Sequence, residues 1–340
     1  MEGVKMQKPT VDIILLTYKP QKRLTQVIEL LETQTYPVNR IIIMNTEEKY
    51  WNTFLYGEKL LKVWDNVEVH HLSKMEFDHG GTRKQAVKRS KSDYFMCMTD
   101  DAVPADENLV EELLKPLLEK KAEFSYARQL PNEDCAVIER FTRDFNYPAE
   151  SCIKSKEDLE RLQIKTYFFS NVCAAYTREI YDKIGGFTDC AIFNEDMYLA
   201  ATAIKEGYRI AYTADAKVYH SHNYKNMMQF HRNFDNGVSQ ALRPDIFEHI
   251  SSTGEGKKMV KLTMEYLKEQ KKQHLIPKLI ISSGFKYIGF KLGINYKRLP
   301  HNFVLKCTMN REFWMRQSIL TATQNIDPNR GCGMSPDERK

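Results

Sequence analysis

Residues 94–104 read Tyr-Phe-Met-Cys-Met-Thr-Asp-Asp-Ala-Val-Pro, an apolar run that ends in two adjacent carboxylates. A short apolar run of this kind predicts a buried strand. Asp100 and Asp101 cannot both be buried unpaired, so we expect them at a sheet edge facing a cation or hydrogen-bond donors. In open α/β sheets, ligands bind at the carboxyl ends of the strands. The pair alone is equally compatible with a solvated turn that caps a helix.

The residues around this stretch predict a parallel sheet. The predicted elements are strands over residues 11–16, 40–44, 67–72, 94–98 and 122–127, and helices over 23–33, 83–90 and 108–121. Nearly continuous apolar strands separated by helices are typical of βαβ units. Residues 17–20 (Thr-Tyr-Lys-Pro) follow the first strand and contain neither a dinucleotide-binding nor a P-loop motif. Dehydrogenases and P-loop NTPases are therefore disfavoured.

Two further features of the second half are candidates for chemistry. Glu195 and Asp196 open a predicted helix over 197–206, where the helix dipole by itself favours acidic residues. His220 and His222 lie two apart, on one face of a predicted extended segment. Such a pair is compatible with a metal site but is more often incidental.

The composition of the 340 residues, 42% hydrophobic and 28% charged, is that of a globular protein. No apolar run reaches the roughly 18 residues of a membrane span, and residues 1–10 lack a signal-peptide core. The seven cysteines show no metal-ligand spacing. These features predict a cytoplasmic protein.

The order and spacing of the motifs resemble those of a known family. After the acidic pair come Gly185-Gly186-Phe187, Glu195-Asp196, Gly207-Tyr208 and Val218-Tyr219-His220. In this arrangement residues 9–225 resemble the family 2 glycosyltransferases of the GT-A fold, an α/β fold with a mostly parallel sheet flanked by helices. Residues 77–83 (Phe-Asp-His-Gly-Gly-Thr-Arg) and 99–104 (Thr-Asp-Asp-Ala-Val-Pro) are most similar to those of bacterial rhamnosyltransferases.

This resemblance implies a domain organisation. A catalytic domain is expected over 9–225, with a nucleotide-binding half at 9–130 and an acceptor and catalytic half at 131–225. A basic helical extension is expected over 226–318, followed by a disordered tail over 319–340.

The resemblance also implies roles for individual residues. The expected roles are Asp101 and His220 as ligands of a divalent metal (Mg²⁺ or Mn²⁺), Asp196 as the catalytic base with Glu195 beside it, and Thr17, Tyr18, Asn45 and Asp100 as contacts to the nucleotide sugar. A divalent cation can neutralise the diphosphate that leaves. Arg83, near a predicted helix start, is expected to contact the donor phosphate.

Four features depart from the family pattern. Thr99 stands where the first Asp of a DxD motif is expected, Asn45 replaces an Asp, and Lys84 replaces an Asn. The QxxRW motif of processive synthases is absent, and the nearest stretch is residues 231–234 (His-Arg-Asn-Phe). Its absence favours the transfer of a single sugar.

We therefore expect an inverting, non-processive glycosyltransferase. The resemblance implies L-rhamnose as the sugar, dTDP-rhamnose as the donor, and a lipid-linked surface polysaccharide as the acceptor. The competing functions are a nucleotidyltransferase and a nucleotide-sugar-binding protein without catalysis. A nucleic-acid partner is disfavoured because the basic segment contains no arginine cluster or identifiable nucleic-acid motif.

The charge of the chain is unevenly distributed. Residues 251–318 contain 14 Lys and Arg against four Asp and Glu, a net charge of +10, whereas residues 1–250 carry −5. A basic segment on an acidic body predicts an anionic partner. Peripheral contact with the inner face of the cell membrane is one interpretation. The other is that these helices only cover the catalytic domain.

Overall fold

A single mixed sheet forms the centre of the molecule. The computed structural model describes residues 8–248, 250 and 253–324. The nine strands in this part of the chain are β1 (Val11–Tyr18), β2 (Arg40–Thr46), β3 (Val67–Leu72), β4 (Tyr94–Thr99), β5 (Val103–Pro104), β6 (Phe124–Leu130), β7 (Cys152–Lys154), β8 (Cys173–Thr177) and β9 (Ile210–Tyr219). Their order across the sheet is β3-β2-β1-β4-β8-β6-β9-β5, and β7 pairs with β9.

Strand direction places several strand ends at the same edge of the sheet. The strands β3, β2, β1 and β4 are mutually parallel. Strand β8 runs antiparallel to both β4 and β6, and β9 is parallel to β6. The carboxyl ends of β1, β2, β4 and β9 therefore lie at one edge, together with the amino end of β8.

Helices cover both faces of this sheet. The helices are α1 (Lys22–Glu32), α2 (Glu48–Asn52), α3 (Gly57–Val63), α4 (His79–Arg89), α5 (Leu109–Leu118), α6 (Val137–Asn146), α7 (Leu159–Leu162), α8 (Arg178–Lys183), α9 (Glu195–Lys205), α10 (Asn226–Leu242), α11 (Pro244–Phe247), α12 (Thr253–Glu269), α13 (Ile276–Ile294), α14 (His301–Cys307) and α15 (Arg311–Gln324). In β1, Ile13 and Leu15 belong to one buried cluster, and Ile14 belongs to another. Alternate residues of a strand face opposite sides, so each side has its own core.

Several predicted boundaries differ from the structure. Thr17 and Tyr18 belong to β1 rather than to the following loop. The extended segment predicted around the two histidines is preceded by a long strand, β9, which ends at Tyr219, and the pairing of β9 with β6 shifts register after Thr213 rather than stopping. The apolar run 167–176 contributes only its end to β8. Aromatic side chains from the rest of that run fill the core instead.

The C-terminal helices pack on one another and on the sheet domain, where Arg316 of α15 lies 3.3 Å from Asp78. Helices α10 and α13 approach closely at glycines: a β-carbon at Gly293 would lie 2.1 Å from the carbonyl oxygen of Phe234. Among the described residues, no helix has both the length and the apolar character needed to cross a membrane. The expected tail boundary at residue 319 falls inside α15, which continues to Gln324. Residues 325–340 lie outside the described residues.

Candidate active site

One edge of the sheet gathers the predicted site residues from four strands. Thr17 lies near the end of β1 and Asn45 near the end of β2. Asp100 and Asp101 follow β4, and His220 follows β9. Because these strands run in one direction, residues that are up to about two hundred positions apart in the chain meet at this edge.

Asp100 is held by the neighbouring strand. The hydroxyl of Thr17 donates a hydrogen bond of 2.5 Å to its carboxylate. Burial raises the pKa of Asp100 to about 6, and the adjacent Asp101 adds to the effect, while the bond from Thr17 opposes it. Asp100 is thus held against β1.

Asp101, His220 and His222 converge to form a triad. Nε2 of His222 lies 3.2 Å from one carboxylate oxygen of Asp101, and Nε2 of His220 lies 3.5 Å from the other. The two Nε2 atoms are 3.1 Å apart. Burial opposes ionisation of Asp101, but hydrogen bonding with His222 lowers its pKa overall.

Gln129 of β6 determines how His220 is oriented. Its Oε1 lies 2.8 Å from Nδ1 of His220 and also accepts a hydrogen bond from Arg143. An amide oxygen only accepts, so Nδ1 of His220 carries the proton. Burial lowers the pKa of His220 to about 3, which keeps the ring neutral. Its Nε2 lone pair therefore faces Asp101 and His222.

This donor set fits a divalent metal ion. One atom from each of the three side chains lies within 4.8 Å of the other two. A ligating histidine characteristically donates its other ring nitrogen to a neighbouring acceptor, as His220 does to Gln129. Imidazole nitrogens suit transition metals, whereas Mg²⁺ takes oxygen ligands. The triad therefore offers a divalent cation two imidazole nitrogens and one carboxylate.

Asp196 lies at the first turn of α9 and is held by backbone groups. Its carboxylate accepts hydrogen bonds from the amides of Asn171 (2.9 Å) and Met197 (2.8 Å). Burial raises its pKa to about 7, and the neighbouring Glu195 adds to the rise. A carboxylate with this pKa can accept a proton near neutral pH.

Glu195 and Arg83 form a buried ion pair. Nη1 of Arg83 lies 2.9 Å from Oε1 of Glu195, and both side chains are almost fully buried. Burial opposes ionisation of Glu195, but Arg83 outweighs it and lowers its pKa. The structure therefore places Arg83 against Glu195 rather than at the triad, and of the two carboxylates it is Glu195 that is engaged in an ion pair.

The three residues before β8, Ser170, Asn171 and Val172, connect Asp196 to the triad. Ser170 accepts a hydrogen bond from the amide of Gln129, which orients His220. The next residue, Asn171, donates to both Asp196 and Glu195. The carbonyl of Val172 then accepts from the amide of Thr99, which precedes the acidic pair. This segment fixes the base relative to the triad.

The ends of β1 and β2 present a different surface. The ring of Tyr18 is 44% exposed and contacts Tyr50 edge-on at 5.3 Å. Asn45 is fully buried and its amide nitrogen lies 3.0 Å from Nδ1 of His71. Its Oδ1 is buried without a hydrogen-bond partner in the described part of the chain. The exposed ring of Tyr18 is suited to stacking on a nucleobase, whereas Asn45 has no exposed surface for such a contact.

Comparisons with known proteins agree with this geometry. Residues 12–185 match glycosyl transferase family 2. The chain belongs to this family, and its fold is the GT-A type with C-terminal helices that the sequence predicted.

Within the family the chain is close to rhamnosyltransferases of bacteria. It is 33% identical over 306 residues to the O-antigen chain rhamnosyltransferase RfbN of Salmonella typhimurium, covering 89% of this chain and 96% of RfbN. It is 38% identical over 245 residues to the O-antigen chain rhamnosyltransferase WbaN of Salmonella anatum, covering 72% and 78%.

Among solved structures, the mannosyltransferase PcManGT from Pyrobaculum calidifontis, in complex with GDP-Man and Mn²⁺, matches with a TM-score of 0.51. The two chains are 11% identical, and the match covers 96% of this chain and 83% of PcManGT. At this identity the likeness supports the fold alone.

Three residues of the site, His222, Gln129 and Asn171, were not assigned from the sequence. The spacing of His222 from His220 indicated a metal pair, but a two-residue spacing alone is weak evidence. Gln129 and Asn171 lie in segments without a recognisable motif, and only tertiary contacts bring them to the site.

Proposed function

We propose that this protein is an inverting, non-processive rhamnosyltransferase. It would transfer one L-rhamnose from dTDP-rhamnose to a hydroxyl of a growing polysaccharide. The acceptor would be linked to a lipid at the cytoplasmic face of the cell membrane. The relatives named above are O-antigen chain rhamnosyltransferases, which supports the choice of sugar and acceptor.

One observation carries the catalytic part of this proposal. Asp196 is a carboxylate with a pKa near 7, and the segment Ser170–Asn171 fixes it relative to the triad. A single base beside a site for the leaving diphosphate is the arrangement that direct displacement requires.

The reaction is balanced by groups of this chain and the two substrates. Asp196 accepts the proton of the acceptor hydroxyl while the oxygen of that hydroxyl bonds to the anomeric carbon. The bond between that carbon and the diphosphate oxygen breaks, and dTDP leaves. Attack opposite the leaving group inverts the anomeric centre. A divalent metal bound to Asp101, His220 and His222 would neutralise charge on the diphosphate.

The remaining residues position these groups. Asp100 and Thr17 would hold the ribose, and Tyr18 would stack on the thymine, while the buried Asn45 would act through its contact with His71. The buried pair of Arg83 and Glu195 supports the first turn of α9, and so holds Asp196 in place. Arg83 would act on the reaction through this pair rather than through the donor phosphate.

Two other functions make different predictions. A nucleotidyltransferase would release pyrophosphate from dTTP in the presence of a sugar phosphate. A binding protein without catalysis would bind dTDP-rhamnose and leave it intact. The presence of a positioned base beside the triad favours transfer over both.

The proposal can be tested with purified protein, Mn²⁺ and a panel of nucleotide sugars. Bound donor stabilises the folded state by mass action, so dTDP-rhamnose should raise the melting temperature more than UDP-glucose or GDP-mannose. Transfer to a polyprenyl-diphosphate-linked saccharide should release one dTDP per rhamnose. NMR of the product should show inversion.

Retention at the anomeric carbon would refute the direct displacement. Pyrophosphate release from dTTP would support the nucleotidyltransferase instead. Binding of the donor without turnover, with any acceptor presented, would support the binding protein.

A further inference from the structure

The outer face of α13 exposes a stripe of large apolar side chains. Ile280, Ile281, Tyr287 and Ile288 are 52–56% exposed. Their spacing of one, seven and eight residues places them on one face of the helix. An exposed apolar stripe two turns long is unusual on the surface of a soluble domain and marks an interaction site.

The opposite face of α13 is already occupied. Gly289 and Gly293 lie against the carbonyls of Phe230 and Phe234 on α10, where even a β-carbon would clash. Helix α13 therefore cannot rotate to bury its isoleucines against the catalytic part of the chain. In the described residues, nothing covers more than about half of each side chain.

The stretch of chain that contains this stripe carries charges of one sign. Residues 270–311 contain nine Lys and Arg and no Asp or Glu. The exposed basic residues of this stretch include Lys278, Lys291, Lys297, Arg298 and Lys306. A second copy of the chain on this face would place like charges opposite each other, which disfavours a symmetric dimer.

We infer that the outer face of α13, with the basic residues around it, docks on the surface of an anionic lipid bilayer. The isoleucines and Tyr287 would enter the boundary between headgroups and acyl chains, and the lysines would reach the lipid phosphates. The biological setting of this docking rests on the proposed function. The docking adds to that function the surface that contacts the membrane.

The position of α13 gives this docking a consequence for catalysis. Lys286 is half-buried and interacts electrostatically with Glu139 and Arg143. Arg143 bonds to Gln129, which orients His220. Helix α13 is therefore connected to the triad through Lys286, Arg143 and Gln129. A lipid-linked acceptor would meet the site close to the bilayer.

Flotation with lipid vesicles tests this inference on the full chain. The protein should float with vesicles that contain phosphatidylglycerol and stay behind with vesicles of phosphatidylcholine alone. The variant Ile280→Glu/Ile288→Glu should partition at least about tenfold less, because two inserted side chains are replaced by charges. Raising the salt concentration should weaken binding of the wild type.

The double variant Leu55→Glu/Val63→Glu is the matched control. It also replaces two exposed apolar residues by two carboxylates, but outside the C-terminal helices. It should float like the wild type. Equal loss of vesicle binding in both double variants would show a general charge effect and would overturn the assignment to α13. Failure of the wild type to bind anionic vesicles would also overturn it. So would sedimentation of the wild type as a dimer that Ile280→Glu/Ile288→Glu disrupts.

A soluble acceptor separates this inference from the proposed function. Transfer of rhamnose to a water-soluble saccharide should be unchanged in Ile280→Glu/Ile288→Glu, while transfer to acceptor in vesicles should fall. Absence of transfer to either acceptor by the wild type would refute the proposed function and leave the flotation result intact.

Discussion

Gln129 and His220 join two neighbouring strands at the active-site edge, with Oε1 of the amide 2.8 Å from Nδ1 of the imidazole. All polar groups of the Gln129 side chain are used, since its nitrogen donates to Tyr147 and Ser170 and its oxygen also accepts from Arg143. A fully bonded amide cannot rotate without losing several hydrogen bonds. A residue of β6 therefore fixes the orientation of His220.

Replacing Gln129 by alanine should weaken metal binding. Loss of an outer partner of a ligating histidine typically costs 10–100-fold in metal affinity, so activity at low Mn²⁺ should fall and high Mn²⁺ should restore it. Titration of activity and of intrinsic fluorescence with Mn²⁺ measures this. The control is Gln34→Ala, which removes a buried glutamine that bonds to backbone groups away from the triad. Equal Mn²⁺ affinity in Gln129→Ala and the wild type would contradict the assignment.

His222 should matter as much as His220. Each contributes a nitrogen to the triad, so His222→Ala should raise the Mn²⁺ concentration for half-maximal activity by about 10–100-fold. EDTA should abolish activity in the wild type, and Mn²⁺ should restore it better than Mg²⁺. The exposed His301 serves as the control, because His301→Ala leaves the triad untouched. Full activity of the wild type in EDTA would exclude a metal at this site.

Asp196→Asn should reduce transfer about 10²–10⁴-fold while nucleotide binding remains. The amide keeps the size of the side chain but cannot accept the proton. Initial rates and a thermal shift with dTDP-rhamnose measure the two properties separately. Asp189→Asn, which changes an exposed carboxylate paired with Lys84, should leave both unchanged. Joint loss of binding and transfer in Asp196→Asn would mean that Asp196 is structural.

The pH dependence of the rate should report the same group. The base acts when ionised, and its pKa is raised to about 7. As pH falls below this value, kcat/KM should therefore decrease, approaching about tenfold per pH unit, and above it kcat/KM should level off. In Asp196→Asn the residual rate should lose this dependence. An unchanged profile in the variant would assign the titration to another group.

Breaking the buried ion pair should destabilise the fold. Arg83→Met leaves Glu195 buried without its cation, which typically costs roughly 3–5 kcal/mol in the free energy of unfolding. Urea unfolding followed by circular dichroism measures the loss. Lys62→Met removes a cation from the exposed pair with Glu58 and should have no measurable effect. In Arg83→Met/Glu195→Leu much of the stability should return, because no charge is left unpaired.

Two glycines of α13 should respond to alanine in opposite directions. Gly293→Ala would place a β-carbon 2.1 Å from the carbonyl of Phe234 and should destabilise the protein by about 1–3 kcal/mol. At Gly284 a β-carbon meets nothing within 4 Å. Gly284→Ala should therefore stabilise the helix by about 0.5–1 kcal/mol. Similar effects of both substitutions on thermal unfolding would argue against the close packing of α13 on α10.

The sequence by itself determined the order of elements and the approximate positions of the central strands. Runs such as residues 94–98 are apolar because both faces of the sheet are buried, and that pattern is visible locally. The polar residues that follow these runs, such as Asp100 and Asp101, are also visible locally, and they predicted the edge of the sheet at which ligands bind. The family resemblance then connected Asp101, Asp196 and His220, and the family is confirmed.

Only the tertiary structure decided which side chains meet. Arg83 had the sequence context of a phosphate-binding residue, but the packing of α4 against α9 places it on Glu195. Gln129, Asn171 and His222 join the site through contacts between elements distant in the chain, which no local pattern encodes. The exposed face of α13 also depends on packing: its sequence is apolar on most sides, and the glycines that contact α10 decide which side remains outside.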